Sequence, residues 1–127
     1  MKFQLVSPER SLASVDADTV TVPGQVGDLT AMPGHAPFLT TLRPGRVVVQ
    51  SGGVETVYVV TGGFAEISPD AVSVLAEEAV EAAALDRAWV EERIKQTEAA
   101  LADAGTERAQ IEAQKLSDFR FLAEQTA

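Results

Sequence analysis

Arg46-Val47-Val48-Val49-Gln50-Ser51-Gly52-Gly53-Val54-Glu55-Thr56-Val57-Tyr58-Val59-Val60 is the stretch whose reading decides the fold. Two runs rich in β-branched residues, 46–50 and 54–60, flank Ser51-Gly52-Gly53, whose glycines suit a hairpin loop. The same grammar recurs on both sides. Residues 3–7, 14–22, 38–42, 64–67 and 71–76 read as further short strands between turn signals. Thr19-Val20-Thr21-Val22 alternates polar and apolar as a half-buried strand does, Val72-Ser73-Val74-Leu75 does so less cleanly, and Ser68-Pro69-Asp70 is a turn. So many short strands before residue 85 predict a sandwich or flattened barrel rather than βαβ units.

Beyond that point the composition changes. All six prolines and eight of the nine glycines lie at or before Pro69; only Gly105 follows. The remainder is rich in Ala, Glu, Leu, Gln and Arg, residues that favour helix. Asp86 is placed to cap a helix over 86–104, with Leu85 and Val90 positioned as a hydrophobic staple. Val90, Ile94, Leu101 and Ala104 fall near one face, and Glu91, Glu92, Lys95 and Glu98 largely outside it. Gly105 suits a left-handed helix end, and Thr106 can cap a second helix over 106–124. There Ala109, Ala113, Leu116, Phe119 and Ala123 form another stripe. Residues 77–85 stay ambiguous between helix and linker. The expectation is an all-β N-terminal domain over 1–84 followed by a C-terminal α-helical hairpin over 85–127. Two helices cannot bury two apolar stripes on each other alone, so the hairpin needs the β domain, a partner, or both in turn.

Composition excludes several functions. Among 127 residues there is no cysteine and one histidine, which removes thiol catalysis, disulfide scaffolds and multi-histidine metal sites. With 10 Lys+Arg against 19 Asp+Glu the net charge is -9, the wrong sign for gripping a nucleic-acid backbone. No apolar run is long enough to span a bilayer, and the N-terminus MKFQLVSPER turns polar too early for a signal peptide. A soluble cytoplasmic protein is expected.

No catalytic constellation emerges. Pro23-Gly24-Gln25-Val26-Gly27-Asp28 is Gly-rich but lacks the Gly-Lys-Ser/Thr ending of a phosphate loop and reads as a turn. His35 has no second histidine to share a metal and no nucleophile elbow to serve. Glu77-Glu78 and Glu91-Glu92 are sequence neighbours and do not converge on one helix face. Met32-Pro33-Gly34-His35-Ala36-Pro37 stands apart: two prolines stiffen a loop that leads into Phe38-Leu39-Thr40-Thr41-Leu42. It reads equally as a rigid strand connection and as a docking edge for another subunit.

Val26-Gly27-Asp28-Leu29-Thr30-Ala31-Met32-Pro33-Gly34-His35-Ala36-Pro37 resembles the signature segment of the epsilon subunits of bacterial F-type, proton-translocating ATP synthases. Leu42-Arg43-Pro44-Gly45, Thr61-Gly62-Gly63-Phe64-Ala65-Glu66 and the start Phe3-Gln4-Leu5-Val6-Ser7-Pro8 match in residue and spacing. The resemblance implies a non-catalytic rotor subunit of the central stalk, without cofactor or metal. Its sandwich would pack on the gamma subunit and its lower loops on the membrane-embedded c-ring. It implies ring-facing positions at Asp28, Leu29, Met32, Pro33, Gly34 and His35, and gamma-facing positions at His35, Thr40, Thr61 and Glu66. It implies a regulatory hairpin that extends along gamma and blocks ATP hydrolysis. Arg93, Lys95, Arg108, Lys115 and Arg120 would then meet acidic segments of the alpha and beta subunits, unless they are ordinary solvated charges.

Some members of that family bind ATP through aliphatic-Asp-x-x-Arg-Ala. Leu85-Asp86-Arg87-Ala88-Trp89-Val90 loses one essential partner in either register: Trp89 fills the Arg slot, or Ala84 the acidic one. A Trp does not replace a guanidinium facing phosphate, so weak or absent ATP binding is expected. The expected location is peripheral, on the cytoplasmic face of the bacterial inner membrane, held there by partners and not by lipid. The mitochondrial delta chain shares the build, and the coupling ion, proton or sodium, is a property of the ring. An adaptor of another assembly remains an alternative, whereas a hydrolase built on His35 has no second catalytic partner.

Overall fold

The computed structural model describes residues 1–126; the final residue of the expected 85–127 hairpin, Ala127, lies outside them. The chain divides into two compact units between Ala84 and Leu85.

Ten strands form the first unit: β1 Lys2–Val6, β2 Ser11–Asp16, β3 Thr19–Gly24, β4 Gly27–Ala31, β5 Phe38–Leu42, β6 Gly45–Ser51, β7 Val54–Val60, β8 Gly63–Ser68, β9 Ala71–Ala76 and β10 Ala79–Glu81. Their order is β10-β7-β6-β3-β5-β8-β9-β1-β2, with β4 on β3. All pairs are antiparallel except β1 with β9. β3 meets β6 through Thr19–Thr21 but β5 only at Gly24↔Leu42. At this single bridge the ladder folds over. One layer is then β10, β7, β6, β3 and β4; the other is β5, β8, β9, β1 and β2.

Strand alternation supplies both inner faces. Phe3, Leu5, Ala65, Ile67, Val72 and Val74 from one layer share a continuous core with Val20, Val22, Val47, Val49, Tyr58 and Val60 from the other. The Phe3 and Tyr58 rings meet across it with centroids 6.3 Å apart, within the range of favourable aromatic pairs. Gly52 and Gly53 both take positive φ, making the two-residue turn that matches the twist of β6 and β7.

Some strands differ from the expectation. The run 14–22 is two strands, broken at buried Ala17 and exposed Asp18, where neither Gly nor Pro marks the turn. β4, Gly-Asp-Leu-Thr-Ala, was not expected, because only Thr in it favours strand. The ambiguous 77–85 segment contains β10 and one 3₁₀ turn, Ala82–Ala84.

The second unit is α1 Arg87–Asp103 and α2 Thr106–Gln125. Asp86 caps α1, its Oδ1 accepting from the Trp89 N–H at 2.9 Å. Gly105 is not left-handed. With φ -72 and ψ 175 it is extended and is itself the N-cap of α2, so Thr106 is the first helical residue and not the cap. Two extended residues, Ala104 and Gly105, turn the chain without a left-handed one. On α2, Leu116, Phe119 and Ala123 are buried together with Leu122, whereas Ala113 is exposed. Glu112 takes a buried position instead, its charge matched by Arg108 at 3.7 Å and Lys115 at 4.0 Å on the same helix. Buried Thr97 satisfies its hydroxyl by donating to the Arg93 carbonyl at 2.8 Å.

Two predictions follow from the sandwich. Gly63 opens β8 with φ 134, and an added Cβ would overlap the Leu75 carbonyl oxygen and lie 2.9 Å from Ala76 Cα, both backbone. Gly63→Ala is therefore expected to cost about 2–4 kcal/mol in urea denaturation; a midpoint unchanged from the parent would contradict the close approach of β8 and β9. Burial, and secondarily the Glu81 carboxylate, raises the Tyr58 phenol above its ordinary 10.0. The unfolded chain then ionises first, so this contribution is complete below about pH 10 and is lost as pH rises toward the folded value. Melts of Tyr58→Phe are expected to show a shallower alkaline decline than the parent.

Candidate functional site

Residues that alternate with the core point outward, and on the second layer they form ordered rows. Thr41, Phe64, Leu75 and Val6 lie side by side across β5, β8, β9 and β1; Leu39, Glu66, Ser73 and Gln4 form the next row. Directly opposed side chains in such rows have Cβ atoms about 4.5–5.5 Å apart. Leu39 is 67% exposed, Leu75 58% and Phe64 52%, an apolar group on the outside of a sheet whose inside is already filled. At its end the row opens into a cavity of about 340 Å³ lined by Val6, Ser7, Pro8, Gly63, Phe64, Leu75, Ala76 and Glu77.

The register also sorts the loops. The 25–26 turn lies at the same end of the sandwich as Leu42, Gly63 and Ala76. Thr41 Oγ1 donates to Gln25 Oε1 at 3.1 Å, tying the turn to the edge of the outward rows. The 32–37 loop leaves the other end of β4 and is pinned there by the Gly34 N–H donating to the Pro69 carbonyl at 2.7 Å. His35 Nδ1 donates to the Ala36 carbonyl at 2.6 Å within this loop.

Thus Asp28 is separated from Met32, Pro33, Gly34 and His35 by the length of β4, about 13 Å at the usual rise per residue. Leu29 points inward and packs on the core. The other quartet is likewise dispersed. Glu66 is on the outward face, Thr40 pairs with buried Ala65 on the inward parity, and His35 sits at the Pro69 end. Thr61 is buried at the opposite end, where its Oγ1 is the one buried side-chain polar atom without a partner among the described residues.

In the second unit, Asp86 is engaged as a cap and Arg87 pairs with Glu91 at 3.2 Å. The Arg93 guanidinium lies 3.9 Å from the Trp89 ring centroid. Arg108 and Lys115 face Glu112, and Arg120 faces Glu98 at 3.6 Å; Lys95 and Ala88 are exposed and Leu85 is half-buried. Among the described residues no three His, Asp or Glu side chains gather as metal ligands, and no helix is long and apolar enough to cross a membrane.

Sequence reasoning missed Phe64, Leu75, Leu39 and Val26 as site residues. The signal was present: Phe64-Ala65-Glu66-Ile67 alternates with Ala65 and Ile67 inward, which puts Phe64 and Glu66 together outside. Val26, 98% exposed at the β3–β4 turn, is a second apolar residue with no role in the core.

Comparison with known proteins agrees with this architecture. The family model "ATP synthase, Delta/Epsilon chain, beta-sandwich domain" matches residues 1–82. The ATP synthase epsilon chain of Ruegeria sp. (strain TM1040) is 54% identical over 96 residues, covering 76% of this chain and 70% of the relative. That of Rhodobacter capsulatus is 47% identical over 122 residues, covering 96% and 92%. Among solved structures, a chain of the Euglena gracilis mitochondrial ATP synthase (OSCP/F1/c-ring) aligns with a TM-score of 0.74 at 21% identity, over 97% of this chain and 79% of that one. A chain of the Tetrahymena thermophila mitochondrial ATP synthase central stalk and c-ring aligns at 0.63 and 16%, over 97% and 96%; both likenesses bear on the fold. With its β-sandwich matched along its length and its identity to these relatives near one half, the chain belongs to the epsilon-chain family of bacterial F-type ATP synthases.

Proposed function

We infer that this chain is a non-catalytic rotor-stalk subunit whose sandwich joins the gamma subunit to the c-ring. The single observation that carries this is the outward apolar group of Leu39, Phe64 and Leu75 with the cavity beside it. A core-filled sheet has no folding reason to expose it, and such patches mark protein contacts. Gamma takes this face, with Glu66 inside the contact.

A joint that touches both shaft and ring needs its two contact surfaces to adjoin. The end bearing Gln25, Val26 and Asp28 adjoins the Thr41–Phe64–Leu75–Val6 row; the 32–37 loop lies at the far end. The ring contact is accordingly assigned to Val26 and Asp28, and the Met32–His35 loop to the side away from it. The chain sits on the cytoplasmic face of the membrane through these partners. Its hairpin is the regulatory element: Ile111 and Phe121 are 56% and 60% exposed, apolar surface available to alpha, beta or gamma. The ion pairs of Arg108, Lys115 and Arg120 within the hairpin would exchange for carboxylates of alpha or beta on extension.

Phe64→Asp tests the gamma face. Because Phe64 is half exposed, the variant is expected to melt close to the parent, while its affinity for gamma falls about 30-fold, the loss typical of an aromatic interface anchor. Undiminished gamma binding by a folded variant would remove this assignment. Deleting residues 86–127 is expected to raise ATP hydrolysis by the assembled enzyme several-fold; an unchanged rate would show that the hairpin does not inhibit in this member.

A further inference from the structure

The outward face carries more than apolar surface. Glu66 lies two residues after Phe64 on β8, beside Ser73 in the adjoining row, and Glu77 lies two residues beyond Leu75. Both are exposed, and neither makes an ion pair or a side-chain hydrogen bond among the described residues. Along the direction of β9 the order is therefore carboxylate, apolar pair, carboxylate: Glu66, then Phe64 with Leu75, then Glu77. From the Ser73 level to Glu77 is four residues, about 13 Å at strand rise.

The cavity sits between the apolar pair and Glu77. Its polar lining is confined to Ser7 and Glu77, without the several convergent donors and acceptors that orient a small-molecule ligand. Basic residues that answer these carboxylates are missing from the rows themselves, which hold Thr41, Phe64, Leu75 and Val6, then Leu39, Glu66, Ser73 and Gln4. Arg10 stands in the neighbouring turn with Glu9 beside it, so that turn adds no net charge. Lys2 is outward on β1 but at the opposite end of the strand.

We propose that the cavity receives one large apolar side chain of the gamma subunit, flanked on both sides by lysine or arginine residues that meet Glu66 and Glu77. This rests on the reading that the face binds gamma, and adds what gamma must present there. The spacing of roughly 6–7 Å from centre to either charge is met by residues two apart on a strand or four apart on a helix. The apolar side chain supplies most of the affinity, and the charges set approach and register.

The test is the affinity and association rate of the full-length chain for gamma across a range of NaCl concentrations. Glu66→Gln, Glu77→Gln and the double variant are compared with the parent, with Phe64→Asp and with Glu55→Gln on the other layer. The double variant is expected to bind about threefold to tenfold more weakly at low salt, chiefly through slower association, and with a flatter salt dependence. Glu55→Gln, which removes the same charge elsewhere, is expected to behave as the parent. A double variant that keeps the parent's affinity and salt dependence, while Phe64→Asp loses gamma, overturns the basic flanks alone. If Phe64→Asp also binds normally, the docking face itself is misassigned.

Discussion

Alternation along a strand is the constraint on which the rest of this molecule depends. Each residue turned into the core sends its neighbours to the outside, so the inner face fixes the outer one at the same time. Ala65, Ile67, Val72 and Val74 are buried, and Phe64, Glu66, Ser73 and Leu75 are thereby committed to the opposite surface. A one-residue slip of β8 against β9 would put Glu66 into the core and Phe64's charge-flanked group out of existence. Gly63 guards against it, since the approach of its backbone to Leu75 and Ala76 leaves no space for a side chain. The outward apolar group is thus held in place by the same register that stabilises the fold.

The folded-over ladder also explains why such a domain suits a mechanical joint. Its two layers are parts of one hydrogen-bonded path that bends at Gly24↔Leu42, and its core is shared between them. A load applied at the outward rows reaches the 25–26 turn through β5 and the Thr41–Gln25 hydrogen bond, without crossing a mobile segment. The proline-bounded loop at the other end is tied to the β8–β9 turn by Gly34 and Pro69. Stiffness at both ends comes from backbone ladders and local hydrogen bonds. No disulfide contributes, because the chain has no cysteine with which to form one.

How much of this was legible in the sequence depended on how strongly each segment departs from alternatives. β6 and β7 were plain, because Val-rich runs around Gly52-Gly53 have few other solutions. β4 was hidden: Gly27, Asp28 and Ala31 disfavour strand singly, and pairing along β3 overrides that preference. Asp86 announced its cap, but Gly105 was misread, because a glycine between two helices suits either a left-handed end or an extended N-cap. Ala113 is expected on the apolar stripe of α2, but it is exposed and Glu112 is buried instead. Arg108 and Lys115, about one turn away on each side, match the charge of a carboxylate in that buried position.

The site was harder to read than the fold, for a related reason. Motif matching ranks residues by their place along the chain, whereas a partner meets residues by their place on a face. Asp28 and His35 are seven positions apart in one signature segment, yet β4 carries them to opposite ends of the sandwich. Phe64, Leu75 and Val6 belong to three separated segments, and only the β8–β9 and β1–β9 pairings make them one row. Parallel β1–β9 pairing joins elements from the two extremes of the first unit and cannot be inferred from any local turn. Residue chemistry leaves the 32–37 loop open between a strand connection and a docking edge, while long-range register decides which side chains share the outward face. The carboxylates illustrate the point once more: Glu66 closes the Thr61–Glu66 segment and Glu77 lies eleven residues on, outside any motif, and they flank the same apolar pair only because β8 and β9 set them on either side of it.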